Sequence, residues 1–206
     1  TATNSTVGGG TSNDATAQNA TIGGGSSNAA SGNQSTIGGG TGNDATAAQS
    51  TVGGGGNNTA SNTWATVGGG RNNVASGGDS TIGGGLANTA NSDSATVAGG
   101  QVNNANAQMA TVGGGGFNDV TGDRATVGGG YDNDVQADYG TIGGGGRSNP
   151  IDGTTQNIVT DEYGTVGGGG DNQAGNATGT QTDAFYATVG GGLSNTANGS
   201  YGFIGG

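Results

Sequence analysis

Carboxylates are the side chains of this chain with the clearest capacity for chemistry. Its 206 residues include 14 Asp or Glu but no His, no Cys and no Lys, and Asp161 next to Glu162 is the one adjacent acidic pair. Paired carboxylates can cleave glycosidic bonds. Repeat-built enzymes of that kind place the pair in a cleft on a broader core, for which this chain has too few large side chains. We therefore predict that the protein is not an enzyme and uses no cofactor or metal.

Aromatic side chains are the second chemically suggestive set. They recur at one place of a 15-residue repeat, as Trp64, Tyr139, Tyr163, Tyr186 and Tyr201. The last four copies of the repeat all hold Tyr there. An exposed aromatic row can pack against another protein chain, stabilise its own stack, or stack on sugar rings. We favour a contact between chains and keep the other two interpretations open.

Thr and Asp residues suggest two further ligands. A Thr opens every repeat, and a regular row of Thr could bind ice, although this single row is flanked by Gly. Asp follows a repeated Asn in four repeats, at Asp14, Asp44, Asp119 and Asp134, which is similar to calcium-binding glycine-rich nonapeptides. Because the period is fifteen rather than nine, we do not predict calcium as a ligand of the repeat.

The element that positions all these residues is a pentad, Thr-Val/Ile-Gly-Gly-Gly. It starts at residues 6, 21, 36, 51, 66, 81, 96, 111, 126, 141, 165 and 188, and only Ala98 interrupts its Gly triplet. With the pentad Thr as position 1, position 8 is Asn, position 10 is Ala or Val, and position 15 is Ala, Ser or Gly. A fixed period of this size indicates stacked repeats that bury one another's apolar surface.

The Asn at position 8 predicts a buried ladder of hydrogen bonds. Stacked Asn side chains can bond along the axis from one repeat to the next, as amide ladders do in stacked sheets. We expect a structural role, rather than ligand binding, for Asn13, Asn28, Asn43, Asn58, Asn73, Asn88, Asn103, Asn118, Asn133, Asn172 and Asn195, with Asn157 in the same place of a lengthened repeat.

The fold class follows by elimination. Three consecutive Gly disfavour a helix, no 3.6-residue periodicity is present, and clustered Gly does not match the spacing of collagen. Short strands that turn at Gly and Asn remain, so we predict an all-β protein, a β-solenoid or β-roll of 15-residue Gly-rich coils. We expect one repeat domain over residues 1–206, with twelve full coils, partial coils at both ends, and loop insertions near 147–155 and 175–182.

Composition limits the partners. A net charge of −11 with only three Arg removes the usual attraction to nucleic acid and to anionic membranes. No stretch approaches the roughly 20 apolar residues that a membrane span needs. Disorder is the alternative to a fold, but the few aliphatic residues fall in a fixed column. With 53 Gly and one Val or Ile per coil, the core is thin, so we expect further stabilising contacts between chains.

One unit carries a family resemblance. The pattern Ala-Thr-Val-Gly-Gly-Gly-x-x-Asn-x-Ala-Ser-Gly-x-x-Ser, present at 65–80 and in part at 21–32, resembles the head repeats of YadA-like trimeric autotransporter adhesins. The resemblance covers nearly the whole chain and implies a left-handed β-roll and trimerisation. The chain departs from the family pattern in its Gly triplet and its fifteen-residue unit.

These observations lead to a functional expectation. We expect a non-enzymatic structural protein, extracellular or on a cell surface, that self-associates as a homo-oligomer into a fibre or rod. One alternative is an adhesin or phage-fibre head module that binds surface glycans or matrix proteins through the looped coils and the Tyr row. The other is an ice-binding protein.

Overall fold

The regular structure is entirely strand. The computed structural model describes residues 3–149, 151 and 155–206. Within these ranges every regular element is a two-residue β-strand, and no helix is present. Strands pair in parallel with the strand at the same place in a neighbouring coil, residue for residue, as in Thr81 with Thr66 and Ile82 with Val67. The predicted β-solenoid of 15-residue coils is therefore confirmed.

The chain divides into two compact units, and the first is Thr1–Val102. Its first sheet is built from the Thr and Val or Ile of each pentad: β1 (Thr6–Val7), β3 (Thr21–Ile22), β5 (Thr36–Ile37), β7 (Thr51–Val52), β9 (Thr66–Val67), β11 (Thr81–Ile82) and β13 (Thr96–Val97). Its second sheet is built from positions 9 and 10: β2 (Asp14–Ala15), β4 (Ala29–Ala30), β6 (Asp44–Ala45), β8 (Thr59–Ala60), β10 (Val74–Ala75) and β12 (Thr89–Ala90).

The second unit, Asn103–Gly206, repeats this arrangement. Its pentad strands are β15 (Thr111–Val112), β17 (Thr126–Val127), β19 (Thr141–Ile142), β21 (Thr165–Val166), β23 (Thr188–Val189) and β25 (Phe203–Ile204). Its strands at positions 9 and 10 are β14 (Asn104–Ala105), β16 (Asp119–Val120), β18 (Asp134–Val135), β20 (Ile158–Val159), β22 (Gln173–Ala174) and β24 (Thr196–Ala197).

A third column of pairing runs through position 6. It consists of single-residue parallel bridges, such as Arg71 with Leu86 in the first unit and Tyr131 with Gly146 in the second. The sequence did not predict this column, because position 6 has no constant residue type: its bridge needs only the backbone. Within each unit, neighbouring coils are thus tied together along three lines.

The core is narrow and partly polar. Apart from the first coil and the partial last coil, position 2 contributes one buried Val or Ile per coil, and position 10 contributes one buried Ala or Val, as in Ile82 and Ala90. The Asn at position 8 and the small residue at position 15 fill the remaining interior, as in Asn88 and Ala95. Hydrogen bonding therefore has to hold the interior of each coil together alongside apolar burial.

Close stacking of the backbone explains the Gly triplet. A Cβ added at Gly68, position 3, would overlap the carbonyl oxygen of Gly83 in the next coil. Position 5 is excluded for two reasons: Gly70 has φ +86°, and a Cβ there would overlap the Gly85 carbonyl oxygen. At the middle position, by contrast, a Cβ on Gly69 would meet nothing within 4 Å. Packing thus disfavours a side chain at the first and third Gly, although Ala98 fills the first place in one pentad.

The corner at position 14 has a left-handed backbone. Trp64, Tyr139 and Tyr163 have φ of 57°, 58° and 59°, in a region that such side chains rarely adopt. The stack compensates through a hydrogen bond between coils, in which the position 14 nitrogen donates to the position 13 carbonyl oxygen of the preceding coil. The Tyr163 nitrogen donates to the Asp138 oxygen in this way at 3.1 Å, and Tyr186 to Glu162 at 3.1 Å.

Candidate interaction surface

Four Tyr side chains of the second unit form a stacked column on its outer side. The ring centroids of Tyr139 and Tyr163 are 4.8 Å apart with an interplanar angle of 8°. Tyr163 and Tyr186 are 4.7 Å apart at 19°, and Tyr186 and Tyr201 are 5.4 Å apart at 15°. These separations follow the coil spacing of about 4.8 Å, since the left-handed corner aims each ring in the same direction. We call these four residues the Tyr column.

Three further side chains extend and support the column. The Arg124 guanidinium lies 5.4 Å from the Tyr139 ring centroid and its Nη1 donates to the Tyr139 hydroxyl at 3.0 Å. Phe185 meets the rings of Tyr186 and Tyr201 edge-on, at 5.5 and 5.2 Å. Met109 occupies position 14 one coil before Arg124 and is exposed. We call Met109, Arg124 and the Tyr column the aromatic ridge.

The way the rings stack limits what they can bind. Tyr139, Tyr163 and Tyr186 keep 39–44% of their surface exposed, and Tyr201 keeps 70%. Because the rings lie face to face, their outward surfaces are ring edges and hydroxyls. A sugar stacks on the face of an aromatic ring, and Tyr163 and Tyr186 have a ring stacked on both faces. The column is thus shaped for contact along its ring edges and hydroxyls.

Negative charge lies beside the ridge. Asp123, Asp138 and Glu162 occupy position 13 in successive coils, next to Arg124, Tyr139 and Tyr163. The Asp123 nitrogen donates to Asp138 Oδ1 at 2.8 Å, which holds that carboxylate against the stack. The pKa of Tyr163 is raised mainly by partial desolvation, and to a smaller extent by the neighbouring Tyr139 and Tyr186.

Trp64 lies apart from the Tyr column in the first unit. It occupies position 14 and is 55% exposed. Its neighbours in the column of that unit are Gln49 and Asp79. Of the five aromatic residues proposed from the sequence for this surface, four are therefore brought together and Trp64 is not.

The Asn residues at position 8 form a continuous ladder within each unit. In the second unit, Asn133 Nδ2 donates to Asn118 Oδ1 at 2.9 Å and to the Gly129 and Gly145 carbonyl oxygens at 3.0 and 3.2 Å. Asn157 continues the ladder across the lengthened coil by donating to Asn133 Oδ1 at 3.1 Å. The buried members are Asn28, Asn43, Asn58, Asn73, Asn88, Asn103, Asn118, Asn133, Asn157 and Asn172, and Asn13 and Asn195 are half-buried. Their amides are occupied by the stack.

The second insertion is organised by a residue that the sequence did not single out for this role. Asp161 takes position 12, where other coils have mainly small residues, and is 1% exposed. Its Oδ2 accepts from the Asn176 nitrogen at 2.8 Å and from Thr160 Oγ1 at 3.2 Å, and its Oδ1 accepts from the Ala184 nitrogen at 3.2 Å. Asp161 thus anchors both ends of the loop over residues 176–184.

The first insertion borders a cavity in the second unit. Residues 150 and 152–154 of the insertion predicted near 147–155 lie outside the described ranges. The cavity measures about 440 Å³ and lies between Tyr131 and Leu193, with Gly146 and Gly170 between them. Arg147, at its edge, is paired with Asp132. The sequence did not predict this cavity, since its walls are 62 residues apart along the chain.

Comparisons with known proteins place the chain in no established group. No protein-family model matches it, and no curated protein is recognisably similar in sequence. In the described ranges, no three His, Cys, Asp or Glu residues are placed to hold a metal ion. The same ranges contain no helix able to span a membrane. The class that can be stated is that of β-solenoid repeat proteins.

Proposed function

We propose that the protein is a non-enzymatic structural protein, extracellular or on a cell surface, whose solenoids associate with one another through the aromatic ridge to form a rod or fibre. The observation that carries the proposal is the ridge itself. It is an exposed, unbroken row of six side chains on a surface otherwise rich in Thr, Ser, Asn and Gly. Exposed apolar patches of this kind mark interaction sites.

The composition of the ridge favours a protein partner. Tyr, Met and Arg are enriched in protein interfaces, and Tyr and Arg are frequent among the residues that dominate binding energy. The stacked rings are also preorganised, because each is held by its neighbours and by a hydrogen bond between coils. Fewer rotamers are then lost on association, which favours affinity.

A second copy of the chain is the partner that we propose. A row of rings at coil spacing is self-complementary, because the ring edges of two such rows can meet in repeated register. Such a contact also supplies the apolar burial in which each coil is poor. A two-fold dimer is the simplest closed form of such a contact, and the trimer implied by the family resemblance requires three ridges to meet at one axis.

Removal of two central rings tests the proposal. Tyr163→Ser with Tyr186→Ser should shift the sedimentation coefficient to that of the single chain, while the far-ultraviolet circular dichroism stays that of the wild type. Tyr131→Ser, which removes an equally exposed Tyr outside the ridge, is the matched control and should leave association unchanged. Association that survives in the double variant would contradict the role of the ridge.

A further inference from the structure

We propose that the cavity beside Tyr131 binds a neutral saccharide ring. This cavity, called the Tyr131 cavity below, is separate from the aromatic ridge, and its proposed role does not depend on self-association. Its volume of about 440 Å³ lies within the range of about 300–1,000 Å³ that is usual for small-molecule sites. The ligand class follows from its walls, its polar groups and its charge.

The cavity arises from missing side chains in one column. Position 6 residues pair in the order Tyr131, Gly146, Gly170 and Leu193. Two coils that have Gly at position 6 therefore separate two coils that have a large side chain there. The backbones of Tyr131 and Leu193 are three coil steps, or about 14 Å, apart. The result is a notch with two upright walls and a floor of Gly backbone.

The walls of the notch are apolar and exposed. Tyr131 is 48% exposed and Leu193 is 65% exposed, so neither side chain is buried in the core. Phe117 in the coil before Tyr131 packs against its ring at a centroid distance of 5.2 Å. Tyr131 also lines the notch, where the Arg147 guanidinium lies 6.0 Å from its ring centroid. An exposed aromatic ring and an exposed aliphatic side chain on one notch suit the CH-bearing faces of a sugar, which aromatic rings bind by stacking.

The floor and edge supply polar groups for sugar hydroxyls. Gly145 and Gly169 line the cavity, and in the described part of the chain their backbone nitrogens, like those of the other Gly at position 5, donate no hydrogen bond. Ser148 lies on the same cavity and is exposed. Its hydroxyl can both donate and accept. A few placed polar groups among apolar walls are the usual composition of a ligand site.

Charge favours a neutral ligand over an acidic one. The guanidinium of Arg147 is paired with Asp132 and lies 6.0 Å from the Tyr131 ring centroid. Its charge is therefore already balanced by a carboxylate. The second unit also contains ten of the 14 acidic residues and two of the three Arg. An anionic sugar would enter a negative field with no uncompensated cation to receive it.

Amide NMR tests the site directly. We would titrate the isotope-labelled protein separately with glucose, galactose, mannose and N-acetylglucosamine. At least one sugar should shift the amide signals of Gly145, Gly169 and Ser148, with a dissociation constant of about 1 mM, typical of a weak site. Tyr131→Ala and Leu193→Ala should each weaken that binding about tenfold or more, and Tyr163→Ala should leave it unchanged.

Two results would overturn the proposal. One is the absence of shifts at these amides with all four sugars well above that concentration. The other is a shift of equal size in Tyr131→Ala and Leu193→Ala, when the remaining amide signals of both variants match the wild type. Neither result bears on self-association, which is measured by sedimentation. The two proposals can therefore fail independently.

Discussion

Asn58 Oδ1 accepts two hydrogen bonds from Asn73 in the next coil, one from its backbone nitrogen at 3.0 Å and one from its Nδ2 at 3.1 Å. The same Nδ2 donates to Gly69 in its own coil at 2.9 Å and to Gly85 in the following coil at 3.0 Å. One buried amide thus connects three consecutive coils. The ladder compensates for an apolar core that offers two aliphatic side chains per coil.

Asn73→Ala should destabilise the protein by about 3–5 kcal/mol, because the buried Asn88 nitrogen and the part-buried Gly69 carbonyl oxygen lose their partners and each such loss costs about 1–3 kcal/mol. Chemical denaturation monitored by circular dichroism would measure the change. The matched control is Asn91→Ala, at an exposed position outside the ladder, for which a change within about 0.5 kcal/mol is expected. Equal effects of the two substitutions would contradict the ladder's role.

Adjacent glycines should respond in opposite ways to the same substitution. Gly70→Ala places a methyl group against the Gly85 carbonyl oxygen on a backbone with φ +86°, so a loss of about 1–3 kcal/mol or more is expected. Gly69→Ala places its methyl group in open space. It should be neutral or stabilising by up to about 1 kcal/mol, because Ala lowers the conformational entropy of the unfolded chain. Thermal unfolding of both variants would show the difference. The close coil spacing would be refuted by a Gly70→Ala protein as stable as the wild type.

Acidification should strengthen one part of the second unit. Desolvation by burial, with added repulsion from Asp119 and Asp132, raises the pKa of Asp134, although its bond from Gln136 acts in the opposite direction. A raised carboxyl pKa means that the folded protein holds the proton more tightly than the unfolded chain. Stability from this group is therefore present at low pH and is lost as pH rises through the folded-state pKa.

Asp134→Asn tests this sign. The variant should be more stable than the wild type near neutral pH, and the difference should shrink as the pH falls towards about 4. The Asn oxygen can still accept from Gln136 Nε2, which donates to Asp134 Oδ2 at 2.7 Å. Asp119→Asn should behave in the same direction, because desolvation also raises the pKa of Asp119. A difference that grows on acidification would be the opposite of the expected result.

Asp161→Ala should release the loop over residues 176–184 without unfolding the solenoid. The backbone nitrogens of Asn176 and Ala184 both donate to this carboxylate, so their amide hydrogens should exchange faster with solvent in the variant. Amides of distant coils, such as Thr81, should keep their wild-type rates. Asp171→Ala, which changes a less buried Asp on the next coil, serves as the control. Unchanged exchange at Asn176 and Ala184 would remove Asp161 from the anchoring role.

Much of the coil could be predicted from the sequence, because constant positions report constant contacts. The pentad Thr and Val became strand residues, and a period of fifteen became the coil. The left-handed backbone of Trp64 and Tyr139 could not be predicted, since local preference would place Gly or Asn there. Hydrogen bonds between coils impose that backbone, and only the stack reveals them.

The interaction surfaces were less predictable than the coil. The recurrence of Tyr at position 14 indicated a column, but not that the rings cover one another's faces. The Tyr131 cavity depends on Gly146 and Gly170 lying between two large side chains in space, which requires the register across both insertions. Asp161 looked like half of an acidic pair, whereas its burial beneath a loop is a property of the folded chain.

Sedimentation equilibrium of the wild-type protein over a range of protein and salt concentrations tests the central claim most directly. Copies that meet through a ridge flanked by Asp138 and Glu162 repel one another, and salt screens this repulsion. We predict a mass above the 19.1 kDa of one chain, which rises with protein concentration and with salt. A mass of 19.1 kDa under every condition would contradict self-association through the aromatic ridge.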